Sequence, residues 1–228
     1  EEKNGQGETY HAATKLQTVA TASGENGEGE TSKHTDSTLA ALPNVLPTAW
    51  QDNGIFSDQY ERAFAFLKEM TLEERVGQML FARCPEENIA REAAAQYHLG
   101  GYVLFGRDFK GKTEAQVINT LKSYQATAKI PLAFSVDEEG GAINRISVNP
   151  NLAATPFPSL MELYRKGGME AIQADAVNKA GLLKKLGIQI NLGPVADIAS
   201  SPKDYIFSRT LGATLEETKQ YIGQVVQA

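Results

Sequence analysis

Seven residues, Ile130 to Val136, form an apolar run that reads as one buried strand, and the chain then turns abruptly to Asp137-Glu138-Glu139-Gly140-Gly141. Three acids and two glycines build no core. They suit the rim of a parallel sheet, where glycine lets irregular backbone bend tightly because it tolerates positive φ. Arg145 follows Asp137 by eight residues, far enough for the loop to fold back and set a cation beside the acid. A carboxylate that accepts paired O–H donors and a guanidinium that donates to oxygens together suit a ligand rich in hydroxyls.

The flanking pattern fits that placement. Gln59 to Met70 carries apolar residues on one helical face. Thr71-Leu72-Glu73-Glu74 is a capping box that opens a second helix to about Ala82, and Glu86 to Tyr97 reads as a third. Leu99 to Phe105 is the first strand. A capping-box match at Thr113 to Gln116 starts a helix to about Lys129, and Ile130 to Val136 is the second strand. After a long loop from Asp137 to Pro158, Gly168 to Leu186 reads as a helix whose inward stripe passes through positions 169, 172, 176, 179–180, 182–183 and 186, ended by Gly187. Ile188 to Val195 is the third strand. An irregular stretch from Ala196 to Leu211 precedes a third capping box, Thr214 to Glu217, and a last helix. Strands alternating with helices point to parallel β/α units. Three strands allow either a small open sheet or the leading part of a (β/α)8 barrel, and in both the sites gather at the C-terminal strand ends.

The length, 228 residues, allows one large domain or two small ones. Residues 1–50 read as a leader or linker: 1 to about 38 is polar and too poor in apolar side chains to offset its conformational entropy, and Leu42 to Trp50, with Pro43 and Pro47, reads as an extended lead-in. The leader serves equally as a tether or as a tail without function. Residues 51–228 carry the domain, with order expected from near Ser57. Against 28 acids the chain sets 22 bases in no cluster, which excludes a nucleic-acid binder. The single cysteine, Cys84, excludes an internal disulfide or a thiolate metal cluster and reads as a buried structural thiol. No stretch of 18 apolar residues spans a membrane. The polar leader and a first residue other than Met lead us to expect a secreted or surface-anchored protein, with a cytoplasmic one as the alternative.

Other chemistries drop out. There is no G-x-G-x-x-G, no P-loop and no Gly-x-Ser-x-Gly elbow. His11 and His34 lie in the polar leader, His98 reads as a helix-end residue, and no pair has metal-ligand spacing. Carboxylates and arginines remain: Asp137, Glu138 and Glu139 after the second strand, then Asp197, Asp204 and Arg209 after the third. Each loop Asp is equally a turn residue; their clustering with arginines after two successive strands favours a site.

These residues resemble the amino-terminal domain of glycoside hydrolase family 3, in particular its bacterial β-N-acetylhexosaminidase branch. Val136-Asp137-Glu138-Glu139-Gly140-Gly141 followed by Arg145 is similar to the family's signature loop, and Leu186 to Ile198 to its second signature. Ser208-Arg209-Thr210-Leu211-Gly212 is similar to the Arg-Ser-Phe-Gly that follows. Gly101 to Phe105 resembles the first barrel strand, and Thr71 to Met79 the opening helix. The resemblance implies a (β/α)8 barrel, of which about three β/α units are present here. It implies hydrolysis of terminal β-linked N-acetylhexosamine with retention, a carbohydrate partner, and no cofactor or metal. Asp137, Arg145 and Arg209 match positions that hold the sugar, Asp197 one that supports the pocket, and Glu138 and Glu139 are expected to organise the loop. The branch's acid/base His and nucleophilic Asp fall beyond Ala228, so no catalytic residue is assigned and the chain by itself is expected to be inactive. Retaining hydrolysis places its two groups about 5 Å apart across the bond in the two-carboxylate case. A β-glucosidase-type exo-glycosidase and a noncatalytic sugar-binding module are the alternatives.

Overall fold

The structure is a computed structural model and describes residues 42–228. Residues 1–41 of the leader expected over 1–50 lie outside them. The compact unit begins at Leu46 rather than at 51. Leu46 is buried, and Trp50, at the end of a 3-10 turn spanning Thr48–Trp50, sets its ring edge-on to Phe64 at 6.1 Å. Leu46 and Trp50, on either side of Pro47, thus give the lead-in something to pack.

Four parallel strands form the sheet, one more than the three expected. They are β1 (Phe81–Arg83), β2 (Gly101–Leu104), β3 (Ala133–Val136) and β4 (Ile190–Asn191), in the order β1-β2-β3-β4. The helices are α1 (Tyr60–Glu69), α2 (Leu72–Gln78), α3 (Glu87–Tyr97), α4 (Gly106–Phe109), α5 (Glu114–Gln125), α6 (Leu160–Leu186) and α7 (Leu215–Gln227). Parallel neighbours require crossovers, which α3, α5 and α6 supply. The succession is that of one arc of a (β/α) barrel.

Two expectations shift. The helix opened at Thr71 stops at Gln78 instead of near Ala82, because Phe81–Arg83 pairs with Gly101–Val103 and its backbone groups enter the sheet. Gly101–Leu104, expected as the first strand, is therefore the second. The helix expected from Gly168 to Leu186 is present, but it is joined across a break at Gly167 and Gly168, where Gly168 takes φ 59°, to an unexpected helical segment from Leu160 with Ser159 as its N-cap. The expected capping boxes form at Thr71–Glu74, Thr113–Gln116 and Thr214–Glu217. His98 ends α3 in a left-handed conformation, φ 51°.

The main core lies between the sheet and helices α3, α5 and α6. Tyr102, Leu104, Phe134 and Val136 meet Ala90, Ala94, Leu121, Tyr124, Leu183 and Leu186 there. Tyr102, fully buried, donates its hydroxyl to the Ala90 carbonyl (2.7 Å) and stands edge-on to Tyr124, centroids 5.9 Å apart. Truncating a ring such as Phe134 to Ala would cost about 3–5 kcal/mol. A smaller cluster, Ile172, Leu211 and Tyr221, joins α6 to α7. This packing fixes the C-terminal ends of β3 and β4. No helix among the described residues is long and apolar enough to cross a membrane.

Candidate functional site

Side chains alternate along extended backbone, so the triplet after β3 sends its members in different directions. Glu138 turns inward and has no solvent exposure. Its Oε2 accepts the backbone N–H groups of Arg145 and Ile146, both at 2.7 Å. Its Oε1 accepts the N–H of Ser147 (3.1 Å) and the Ser147 hydroxyl (2.5 Å). These bonds close the loop and return the chain at Arg145 beside the residue that left the strand. Between them, Gly140 adopts φ 102° and a side chain there would meet the Pro158 carbonyl at 2.2 Å, so glycine is required on both counts.

Asp137 and Glu139 flank the buried acid, and each meets an arginine. Asp137 Oδ2 lies 3.5 Å from Arg145 Nη2, and the Arg145 guanidinium sits over the Phe105 ring, 5.3 Å from its centroid. Arg83 covers the same ring at 4.8 Å. Arg83, Phe105 and Asp137 stand at the ends of β1, β2 and β3, so the strand register alone gathers them at one rim. Glu139 receives Arg209, from a 3-10 turn at Phe207–Arg209, through Nη2 to Oε1 at 2.6 Å and Nε to Oε2 at 2.8 Å. The Glu139 hydrogen bond raises the Arg209 pKa, against a smaller opposing effect of burial.

The structure thus brings Asp137, Arg145 and Arg209 to one strand end, in two pairs. Arg209 is gripped by Glu139, and the acid beside Arg145 is Asp137. Asp197 is exposed and makes no hydrogen bond or ion pair with the described residues; it touches the site only through its charge on Arg209. Asp204 accepts the Ser201 N–H at 3.1 Å, the turn role that a loop Asp so often plays.

Two residues not anticipated as site residues hold this arrangement. Asn191 of β4 accepts the Glu138 N–H (3.0 Å) and donates to the Glu138 carbonyl (3.1 Å), extending the β3–β4 pairing by a side chain. An Asn between Ile190 and Leu192 in a strand-like run was its signal. Lys179 of α6 donates to the Glu139 carbonyl at 2.7 Å. A cavity of about 580 Å³ opens between the outer edge of β4 and helices α6 and α7, lined by Glu139, Ile172, Lys179, Pro194, Arg209 and Tyr221 among others. Asp137 and Arg145 do not line it, and its walls are largely apolar. Of the two acid–arginine pairs, Glu139 and Arg209 line this cavity, while Asp137 and Arg145 stand outside it. Among the described residues no three His, Cys, Asp or Glu side chains are placed to hold a metal ion.

Residues 71–228 match the model of the glycosyl hydrolase family 3 N terminal domain. The β-hexosaminidase LpqI of Mycobacterium tuberculosis is 27% identical over 157 residues, covering 68% of this chain and 38% of that protein. The chain spans about two fifths of the length of that relative. The solved structure of M. tuberculosis LpqI aligns with a TM-score of 0.61 at 25% identity, covering 72% of this chain and 46% of that one. A glycoside hydrolase family 3 β-N-acetylglucosaminidase from Paenibacillus aligns at 0.59 and 27% identity, over 69% of this chain and 30% of that one.

Proposed function

The chain belongs to glycosyl hydrolase family 3, and from that premise we propose that it carries the sugar-gripping part of a site that hydrolyses terminal β-linked N-acetylhexosamine residues. One observation carries the reading. Two arginines stand at the end of β3, each held by an outer acid of the Asp137–Glu139 triplet, while the middle acid fixes the loop. Asp137 and Arg145 meet at 3.5 Å, a loose pair that leaves the carboxylate able to accept two neighbouring ring hydroxyls while the guanidinium donates to ring oxygens. Arg209 keeps donors beyond the two that Glu139 occupies. Such pre-set groups bind and orient a pyranose, which is the positioning share of catalysis.

The triplet itself is assigned no covalent step. Glu138 and Glu139 are committed to donors within the protein, and Asp137 pairs with the Arg145 guanidinium at 3.5 Å. The relatives, a β-hexosaminidase and a β-N-acetylglucosaminidase, favour the 2-acetamido sugar over glucose.

The test is calorimetric titration of the chain with N-acetylglucosamine and with glucose, alongside nitrophenol release from 4-nitrophenyl N-acetyl-β-glucosaminide. Binding of the acetamido sugar is expected, weakened about tenfold or more in Asp137→Ala and in Arg145→Ala, a loss of 1.4 kcal/mol or more. Equal affinity in wild type and both variants overturns the reading. Glucose bound in preference replaces the acetamido sugar by a β-glucoside. Nitrophenol release abolished by Asp137→Ala overturns the assignment of a purely sugar-gripping role.

A further inference from the structure

A lysine stands inside α6 where its neighbours are apolar. Lys179 and Asp175 are both 9% exposed, and Lys179 Nζ lies 2.6 Å from Asp175 Oδ2, one helical turn earlier. The pair shares a face of α6 with Ile172 and Leu183 and lies on the wall of the cavity that Arg209 also lines. An ammonium offers three donors. One goes to Asp175 and one to the Glu139 carbonyl at 2.7 Å, while the Phe157 ring lies 5.3 Å from the nitrogen. Stability alone does not account for this pair. Burying two charges costs more solvation than a single close contact reliably returns, and apolar residues of similar size often serve a core as well or better.

What the lysine reaches is the backbone of the residue that grips Arg209. The Glu139 N–H already donates to the Ile143 carbonyl at 3.0 Å. Lys179 ties down the carbonyl of the same residue, so both ends of Glu139 are fixed. The next residue is Gly140, and Lys179 Nζ lies 3.2 Å from where its missing Cβ would be. The lysine therefore closes over the bend from which the Glu139 side chain reaches Arg209. We infer that Lys179, oriented by Asp175, is a positioning residue that sets Arg209 through Glu139 and so tunes the grip on the sugar. This inference rests on the proposed role of Arg209 for its consequence in binding, and on geometry alone for its effect on Arg209.

The experiment uses the same chain with Asp175→Leu and Lys179→Met together, which removes both charges and refills the volume. The Arg209 Nε–H signal in ¹⁵N–¹H spectra, identified by its disappearance in Arg209→Lys, reports the Glu139–Arg209 bridge without any ligand. Exchange of that proton with water is expected to quicken about tenfold or more in the double variant, while the thermal transition stays cooperative. N-acetylglucosamine affinity is expected to fall by a similar factor, and Lys179→Arg, which keeps a donor for the Glu139 carbonyl, to recover part of it. A folded double variant with wild-type exchange at Arg209 overturns the inference. Where the double variant fails to fold, Asp175→Asn weakens the hold on the lysine at constant shape, and unchanged Arg209 exchange there overturns it equally. An exchange effect without any sugar binding by the wild type upholds the inference and overturns the proposed function instead.

Discussion

Arg209 meets Glu139 through two parallel bonds, Nη2 to Oε1 at 2.6 Å and Nε to Oε2 at 2.8 Å, across 70 residues of chain. This is the fork-on-carboxylate geometry that lysine cannot reproduce, because a lysine ammonium is a point charge without a second fixed donor. Arg209→Lys is therefore expected to lose one bond and leave a Glu139 oxygen, nearly enclosed, without a partner. We expect about 1–2 kcal/mol of lost stability, read by urea unfolding, together with weaker binding of N-acetylglucosamine in titration. Glu139→Gln should act similarly on stability, since it turns one acceptor into a donor facing the guanidinium. Wild-type stability in both variants would separate the bridge from the fold.

Glu138 makes a sharper prediction. It has no solvent exposure, and three backbone N–H groups and one hydroxyl point at its two oxygens. In Glu138→Gln an amide NH₂ must face at least one of those donors. A loss of about 2–3 kcal/mol is expected, which for a domain of this size lowers the melting temperature by about 4–12 °C. Scanning calorimetry measures it. Because the same bonds return Arg145 to Asp137, sugar affinity should fall even at temperatures where the variant is fully folded.

Much of this architecture was legible in the residue order, for physical reasons that differ by element. The strands at β2 and β3 announced themselves as short apolar runs, and Thr71, Thr113 and Thr214 each carried an acid or amide three places on, a local bond that needs no tertiary partner. β1 was hidden because Phe81–Arg83 continues the apolar spacing of α2, and only its pairing with Gly101–Val103 makes it a strand. The start of α6 was hidden by Gly167 and Gly168, although Ser159 and Glu162 stand at capping distance. The acids of the site could be found by their place after a strand, but which acid takes which arginine could not. That choice depends on the alternation at the strand end and on Asn191 and Lys179, whose partners lie 53 and 40 residues away.

The start of α7 gives the acid limb of stability. Glu217 accepts the Thr214 hydroxyl at 2.6 Å, the Tyr164 hydroxyl at 2.6 Å and the Thr214 N–H at 2.9 Å. The Thr214 hydroxyl, then that of Tyr164, hold its carboxyl below the usual carboxylate range, at about 2. The folded chain binds this proton less readily than the unfolded chain, whose glutamate titrates near 4.3. Glu217 therefore contributes its stabilisation in full above about pH 4.3 and loses it as pH falls toward about 2. Glu217→Gln should flatten that part of the pH–stability curve, and Tyr164→Phe should do so in part. Urea midpoints measured from about pH 2 to 7 decide the matter, and a wild-type acid limb in Glu217→Gln would show that other carboxylates set it.

The alkaline limb has the opposite sign. Cys84 is wholly enclosed, and burial, reinforced by the nearby charge of Asp108, pushes its thiol up to about 12. The unfolded chain releases the same proton near pH 8.5. Below that pH both states hold the proton and Cys84 adds no pH dependence. Between about 8.5 and 12 the unfolded state is favoured by ionisation that the core refuses, so stability falls as pH rises. Tyr102, raised to about 12 by burial, steepens the fall at the upper end. The native thiol is expected to react with 5,5′-dithiobis(2-nitrobenzoate) only as fast as the chain opens, and at once in guanidinium chloride, since the thiolate is the reactive form. Cys84→Ala removes the titrating group. Its urea midpoint should start lower near neutral pH, because a buried sulfur is lost from the core, yet fall less between about pH 9 and 11 than that of the wild type. Parallel alkaline limbs in the two proteins would assign the lability to the tyrosines, and rapid native labelling would show that the sheet face over Cys84 opens to solvent.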